Sequence, residues 1–161
     1  MNSEQNLQKA EELLAAWNKE ATHPETDRLD ASITADDLRP AVTALHEAHW
    51  GYLSSITGLD LGADAGQMEA LYHFCNGPAI TTLRVRLPRA NDAPLPTIED
   101  IIPPAMFFER ELHEMLGFKI VGAKTSERLF IPDDWPEDVY PLRQDFNIEQ
   151  AKPVEGRQAD E

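Results

Sequence analysis

Apolar residues recur along this chain in two rhythms, one of three to four residues and one of two. Leu7, Ala10, Leu14 and Trp17 fall at helical spacing among Glu and Lys, which predicts an amphipathic helix over residues 3–20. The run ATHPETD breaks it. Leu29, Ala31 and Ile33 then alternate with Asp30 and Ser32, a short strand. Thr34 followed by Asp36 and Asp37 marks a helix start, a capping hydroxyl with carboxylates near the positive end of the dipole. Leu38, Ala41, Val42 and Leu45 form its stripe. Pro40 removes a helical hydrogen bond, so the regular helix is placed near 39–48.

The two-residue rhythm takes over in the middle of the chain. WGYLSSITGLD reads as a strand over 51–57. In 67–76, Met68, Ala70, Tyr72 and Phe74 share one face, and Glu69, Leu71 and His73 the other. Asn76-Gly77-Pro78 is a turn, and Leu83, Val85 and Leu87 then oppose Thr82, Arg84 and Arg86, which completes a hairpin. RANDAPLPTIEDIIPP reads as a Pro-rich linker. Pro103 or Pro104 opens a helix that runs to Leu116, and Gly117 ends it. Beyond lies irregular chain with at most one short strand, then a polar tail. The pattern implies an α+β fold: a mixed or mainly antiparallel sheet with helices packed on one face and an extended irregular C-terminal segment. One domain is expected over 1–146 and a tail over 147–161.

Charge narrows the function. The 161 residues carry 29 acidic and 14 basic side chains, a net charge of −15. A nucleic-acid binder needs a cationic surface, and so does a protein that docks directly on anionic lipid. Solubility or a basic protein partner remains. Cys75 stands alone, so neither an internal disulfide nor a Cys-rich zinc or iron–sulfur site is expected. The N-terminus lacks the cationic and apolar regions of a signal peptide. No apolar run approaches the roughly 20 residues that cross a bilayer, so no direct membrane insertion is expected.

The densest chemistry lies in FFERELHEMLG, residues 107–117. On a helical wheel Ala105, Phe108, Leu112, Met115 and Leu116 share one side, flanked by Glu109 and Glu111. Arg110 and Glu114 lie opposite, one turn apart, where they could pair. Met106 and Phe107 also point away from the stripe, so the helix is expected to be contacted on two sides. Three readings follow: internal charge pairing, an acid/base site using Glu109, Glu111 and His113, or a partner interface. Glu109 and Glu111 diverge around the helix and aim at no common point. His46 and His49 lack a third metal ligand, and Trp50 and Trp135 read as core anchors. Arg143, in YPLRQDF, suits a carboxylate clamp.

Glu109-Arg110-Glu111, Glu114 and Gly117 together resemble the signature of the 30 kDa subunit family of proton-pumping NADH:quinone oxidoreductase, complex I. IPDDWPEDVYPLRQDF, with Trp135, Pro141, Leu142 and Arg143, resembles the family's second signature, and YLSSITGLD its usual strand. The likeness covers 29–146. Ala123 and Lys124 replace the family's His-Pro, and Glu127 replaces a basic residue. WPEDVYPLR is as similar to the related subunit of membrane-bound nickel–iron hydrogenases and formate hydrogenlyases. The resemblance implies an α+β, non-catalytic structural subunit of the hydrophilic arm, without flavin, metal or cluster. It would be peripheral on the cytoplasmic side of the membrane and would pack against the 49 kDa large subunit and neighbouring iron–sulfur subunits. The residues it implies for signature or interface are Phe107, Glu109, Arg110, Glu111, Glu114, Gly117, Trp135, Pro141, Leu142 and Arg143.

Overall fold

The computed structural model describes residues 2–89, 94–125 and 127–151. Helix α1 (Ser3–Leu14) opens with a capping box between Asn2 and Gln5. It is followed by β1 (Glu20–Thr22), β2 (Arg28–Ile33), α2 (Ala35–Glu47), β3 (Tyr52–Asp60), β4 (Gln67–Asn76) and β5 (Ala79–Pro88). Then come β6 (Pro94–Pro96), α3 (Ala105–Leu116), β7 (Lys119–Val121) and a single 3-10 turn at Ile148–Ala151.

The main sheet has the order β1-β2-β5-β4-β3. Its β3–β4–β5 meander is antiparallel, β2 joins β5 in parallel, and β1 closes that edge antiparallel to β2. Register puts Ala31, Leu83, Tyr72 and Ile56 in one row across the sheet. That face is buried beneath the three helices, with Leu7, Leu14, Leu38, Leu45, Leu112 and Leu116 in the same core. The α+β expectation and the hairpin therefore hold. The other face is polar: Arg84 bridges Glu69 (2.7 Å) and Asp30 (2.9 Å). Trp50 anchors the core as expected, and its indole N–H donates to the Asn6 carbonyl at 2.8 Å.

The structure corrects several boundaries. The first helix stops at Leu14, whose carbonyl accepts both Trp17 N–H and Asn18 N–H in a closing turn. The chain is then free to form β1, which carries no apolar alternation because all three residues are exposed. The second helix starts directly at its Thr34 cap and runs through Pro40. Pro40 is exposed, and so is Asp36, whose carbonyl loses its helical N–H partner to the proline. The Pro-rich linker contains β6, which pairs with β7 in a two-stranded parallel sheet and buries Leu95. Proline is tolerated in such an edge position. The expected tail from 152 onward lies outside the described residues. Among the described residues no helix is long and apolar enough to cross a membrane.

Helix α3 crosses β3 at Gly58. A Cβ there would stand 2.4 Å from Leu116 Cδ1 and 2.8 Å from Leu112 Cδ2. The missing side chain brings the helix against the sheet and sets the height of every charged group on it.

Candidate functional site

The buried face of α3 follows its sequence stripe: Ala105, Leu112 and Leu116 are buried, and Phe108 and Met115 pack beside them. The charged residues behave differently from a solvated face. Glu109 is 1% exposed. It accepts the Thr97 hydroxyl at 2.5 Å and the Ile98 N–H at 2.7 Å, and so ties the helix to the chain leaving β6. Burial pushes its carboxyl pKa up against those two bonds, and the nearby charges of Glu99 and Asp100 add to the rise.

Arg110 and Glu114, expected to pair with each other, do not. Arg110 donates to the carbonyls of Glu127 (2.6 and 2.9 Å) and Arg128 (3.0 Å). Glu114, buried, accepts the backbone N–H groups of Leu129 (2.5 Å), Phe130 (2.7 Å) and Ile131 (3.1 Å). One turn of helix thus presents a donor fork and an acceptor pair to successive peptide groups of a single loop. Their chemistry matches backbone better than each other, since each peptide offers both a carbonyl and an N–H.

The C-terminus of α3 is finished by the second signature. Gly117 sits at φ 77°, ψ 31°, and its N–H bonds the His113 carbonyl. A Cβ on it would meet the Tyr140 ring at 2.5 Å. Arg143 lies over that ring, 5.1 Å from its centroid, and donates to the Leu116 carbonyl (2.6 Å) and the Arg89 carbonyl (3.1 Å). The Leu142 N–H bonds the Met115 carbonyl. Trp135 donates to the Val139 carbonyl and stacks on Phe146.

A second centre escapes sequence reading. Asp60, at the end of β3, accepts from Nε and Nη2 of Arg89 (2.8 and 2.9 Å), from Gln144 N–H (2.9 Å) and from Gly62 N–H (3.0 Å). Arg89 also holds Asp145 at 2.6 Å. The Arg89 guanidinium, opposed by burial, holds the Asp60 carboxyl far below the usual carboxylate range. The signal was available: extending the register of the meander to its open end sets Asp60 and Arg89 at the same end of the sheet.

These contacts account for Glu109, Arg110, Glu114, Gly117, Trp135 and Arg143 as internal fastenings. Glu111 is half-buried and His113 exposed. Glu109 and His113 line one cleft with Glu99, but Glu111 does not, so the acid/base trio is not assembled. Apolar side chains are left outside: Phe107 (49% exposed), Phe130 (53%) and Leu142 (60%). Pro141 is half-buried beside Leu142.

A meandering sheet under three helices, with a charged helix fastening its own loops, defines an α+β module with apolar residues displayed around a rigid helix. The chain matches, over residues 31–152, the family described as respiratory-chain NADH dehydrogenase, 30 Kd subunit, and it belongs to that family. Over 87 residues it is 40% identical to the membrane-bound hydrogenase subunit beta of Pyrococcus furiosus, a match of 53% of this chain and 50% of that one. It is 31% identical over 118 residues to the NADH-quinone oxidoreductase C/D subunit of Phocaeicola vulgatus, 71% of this chain but 22% of that one. It therefore spans half or less of these relatives' length. A chain in the structure of the membrane-bound sulfane sulfur reductase (MBS), an archaeal respiratory membrane complex, superposes with a TM-score of 0.77 at 25% identity, over 98% of this chain and 97% of that one.

Proposed function

We propose that this chain is a non-catalytic structural subunit in the hydrophilic arm of a proton-pumping NADH:quinone oxidoreductase, held against a large subunit of the 49 kDa type. The observation that carries this reading is the Phocaeicola vulgatus relative, in which the matched part is 22% of one longer polypeptide. Covalent fusion keeps such a module beside its neighbour at high effective concentration; a separate chain needs a docking surface instead. Phe107, Leu129, Phe130 and Leu142 supply exposed apolar side chains for one. The charged signature residues serve that surface by fixing the loops that carry Phe130 and Leu142. In this reading the body over 1–146 does the docking, and 147–161 extends along the partner. The chain sits peripherally on the cytoplasmic side of the membrane, with iron–sulfur subunits as neighbours. The chain itself carries no cofactor.

A second parent complex has its own support. The 40% identity to a membrane-bound hydrogenase subunit favours a nickel–iron hydrogenase or formate hydrogenlyase arm. Purification of the tagged chain from native membranes, with mass spectrometry of its companions, separates the two. A quinone-reductase set supports the first and a nickel-binding large subunit the second. Recovery of the chain alone, at the stoichiometry of a free protein, would overturn both.

A further inference from the structure

Between α3 and the chain after β7 lies a cleft of about 100 Å3, walled by Met106, Ile120 and Ala123. Four glutamates also line it: Glu114, whose carboxylate is taken up by the loop N–H groups, exposed Glu127, and the buried pair Glu99 (5% exposed) and Glu109 (1% exposed). Glu99 accepts the Lys124 N–H at 2.7 Å, and Glu109 accepts only the Thr97 hydroxyl and Ile98 N–H. Neither forms an ion pair among the described residues. The cations nearby do not fill that role: Arg39 acts on Glu109 only through space while its N–H groups hold Asp100 and the Thr97 carbonyl, Arg110 directs its N–H groups at loop carbonyls, and Lys119 is exposed, with no carboxylate in salt-bridge range. His113 turns Nδ1 to the Phe118 carbonyl.

Taking carboxylates out of water is costly unless an opposite charge joins them. Here Glu99 and Glu109 lie in one cleft with neighbour repulsion and with no cation bonded to either among the described residues. The occupant that suits such a cleft has an apolar stem and a cationic tip, which describes Lys and Arg. An apolar side chain would cover the carboxylates without compensating them, and an acidic one would add repulsion. The net charge of −15 agrees with a basic partner surface. We infer that this cleft receives a lysine or arginine side chain of the partner subunit, its stem along Met106, Ile120 and Ala123 and its charged tip between Glu99 and Glu109. This rests on the reading that the chain docks in a larger complex.

The isolated full-length chain tests the chemistry without the partner. n-Butylammonium and n-butanol share a stem and differ in the charged tip. Titration of each, followed by the amide NMR signals of Ile120 and Ala123, should give saturable shifts with the cation only. Glu99→Gln should weaken that response roughly fivefold or more. Equal responses to the two probes, or none to the cation, overturn the inference. If Glu99→Gln lowers the melting temperature enough to unfold the chain, the wild-type comparison of probes decides alone. In the native complex, Glu99→Gln should reduce retention roughly tenfold. Normal retention of Glu99→Gln alongside loss with Phe107→Ala would reject the cleft and leave docking intact. Absence of any partner for the wild type would remove docking and cleft occupant together.

Discussion

Gln144 bonds Asp60 twice, through its backbone N–H to the carboxylate at 2.9 Å and through its side-chain amide to the Asp60 carbonyl at 2.7 Å. A residue of the irregular C-terminal segment is thereby fixed to the last residue of β3, 84 positions earlier. With Arg89 clasping the same carboxylate and Asp145, this centre holds the segment that caps α3. The segment is irregular in backbone shape but not loosely attached.

Asp60 and Glu109 should give opposite pH signatures. The folded pKa of Asp60 is depressed, so its stabilisation is present above the ordinary carboxylate value of about 4 and is lost as pH falls further. The folded pKa of Glu109 is raised, so stability falls as pH rises from the ordinary value through the elevated one. Denaturant melts across pH 2–7 should show Asp60→Asn flattening the acid limb. Glu109→Gln should remove a loss above pH about 4.5. Unchanged profiles in both variants would contradict these assignments.

Leu112 is 3% exposed in the contact between α3 and Gly58. Leu112→Ala should cost about 2–5 kcal/mol. Gly58→Ala, which overfills the same contact, should cost about 1–3 kcal/mol. Urea titration measures both, and a cost below about 0.5 kcal/mol for either would mean that α3 does not sit this close to β3.

Gly117 and Gly77 separate backbone strain from collision. Both have positive φ, 77° and 60°, but an added Cβ meets the Tyr140 ring at Gly117 and nothing within 4 Å at Gly77. Gly77→Ala should cost about 1 kcal/mol from conformation alone. Gly117→Ala should cost more and should perturb Tyr140 fluorescence or ring resonances. Equal costs with an undisturbed Tyr140 would deny the collision.

Glu114→Ala leaves three N–H groups without their acceptor. Hydrogen exchange at Leu129, Phe130 and Ile131 should accelerate, while amides of β4 and β5 stay protected. Arg110→Ala should act on the same loop from its carbonyl side and leave the fold standing. Global unfolding by Arg110→Ala would promote this loop to part of the core.

Phe107→Ala and Phe130→Ala remove exposed apolar groups. Each should change the melting temperature little and weaken retention in the complex, read by pull-down under a salt series. Full retention in the double variant would move the docking surface elsewhere.

Much of this was legible along the chain. The alternation of Met68, Ala70, Tyr72 and Phe74 marked β4 to its ends because that face lies under the helices. The Asn76-Gly77 turn then defined the hairpin. Helical phase found Leu112 and Leu116 but not the burial of Glu109, whose partners Thr97 and Ile98 lie 12 and 11 residues upstream. Phase reports direction and not what waits there. β1 and β6 are edge strands of three residues, too short for any period to show. The signatures identified the family, but the charges of Arg110, Glu114 and Arg143 face the chain's own backbone, which a residue-to-residue pairing rule does not anticipate.

The parallel pairing of β2 with β5 sets an order of assembly. The β3–β4–β5 meander closes through near neighbours, whereas Arg28 must find Ile80 across the intervening chain. Loop closure of that length is slow relative to hairpin formation. During synthesis the first two helices and β2 emerge with no sheet to join, and they wait until β5 has been made. The N-terminal third is therefore expected to join the core only after the meander has closed.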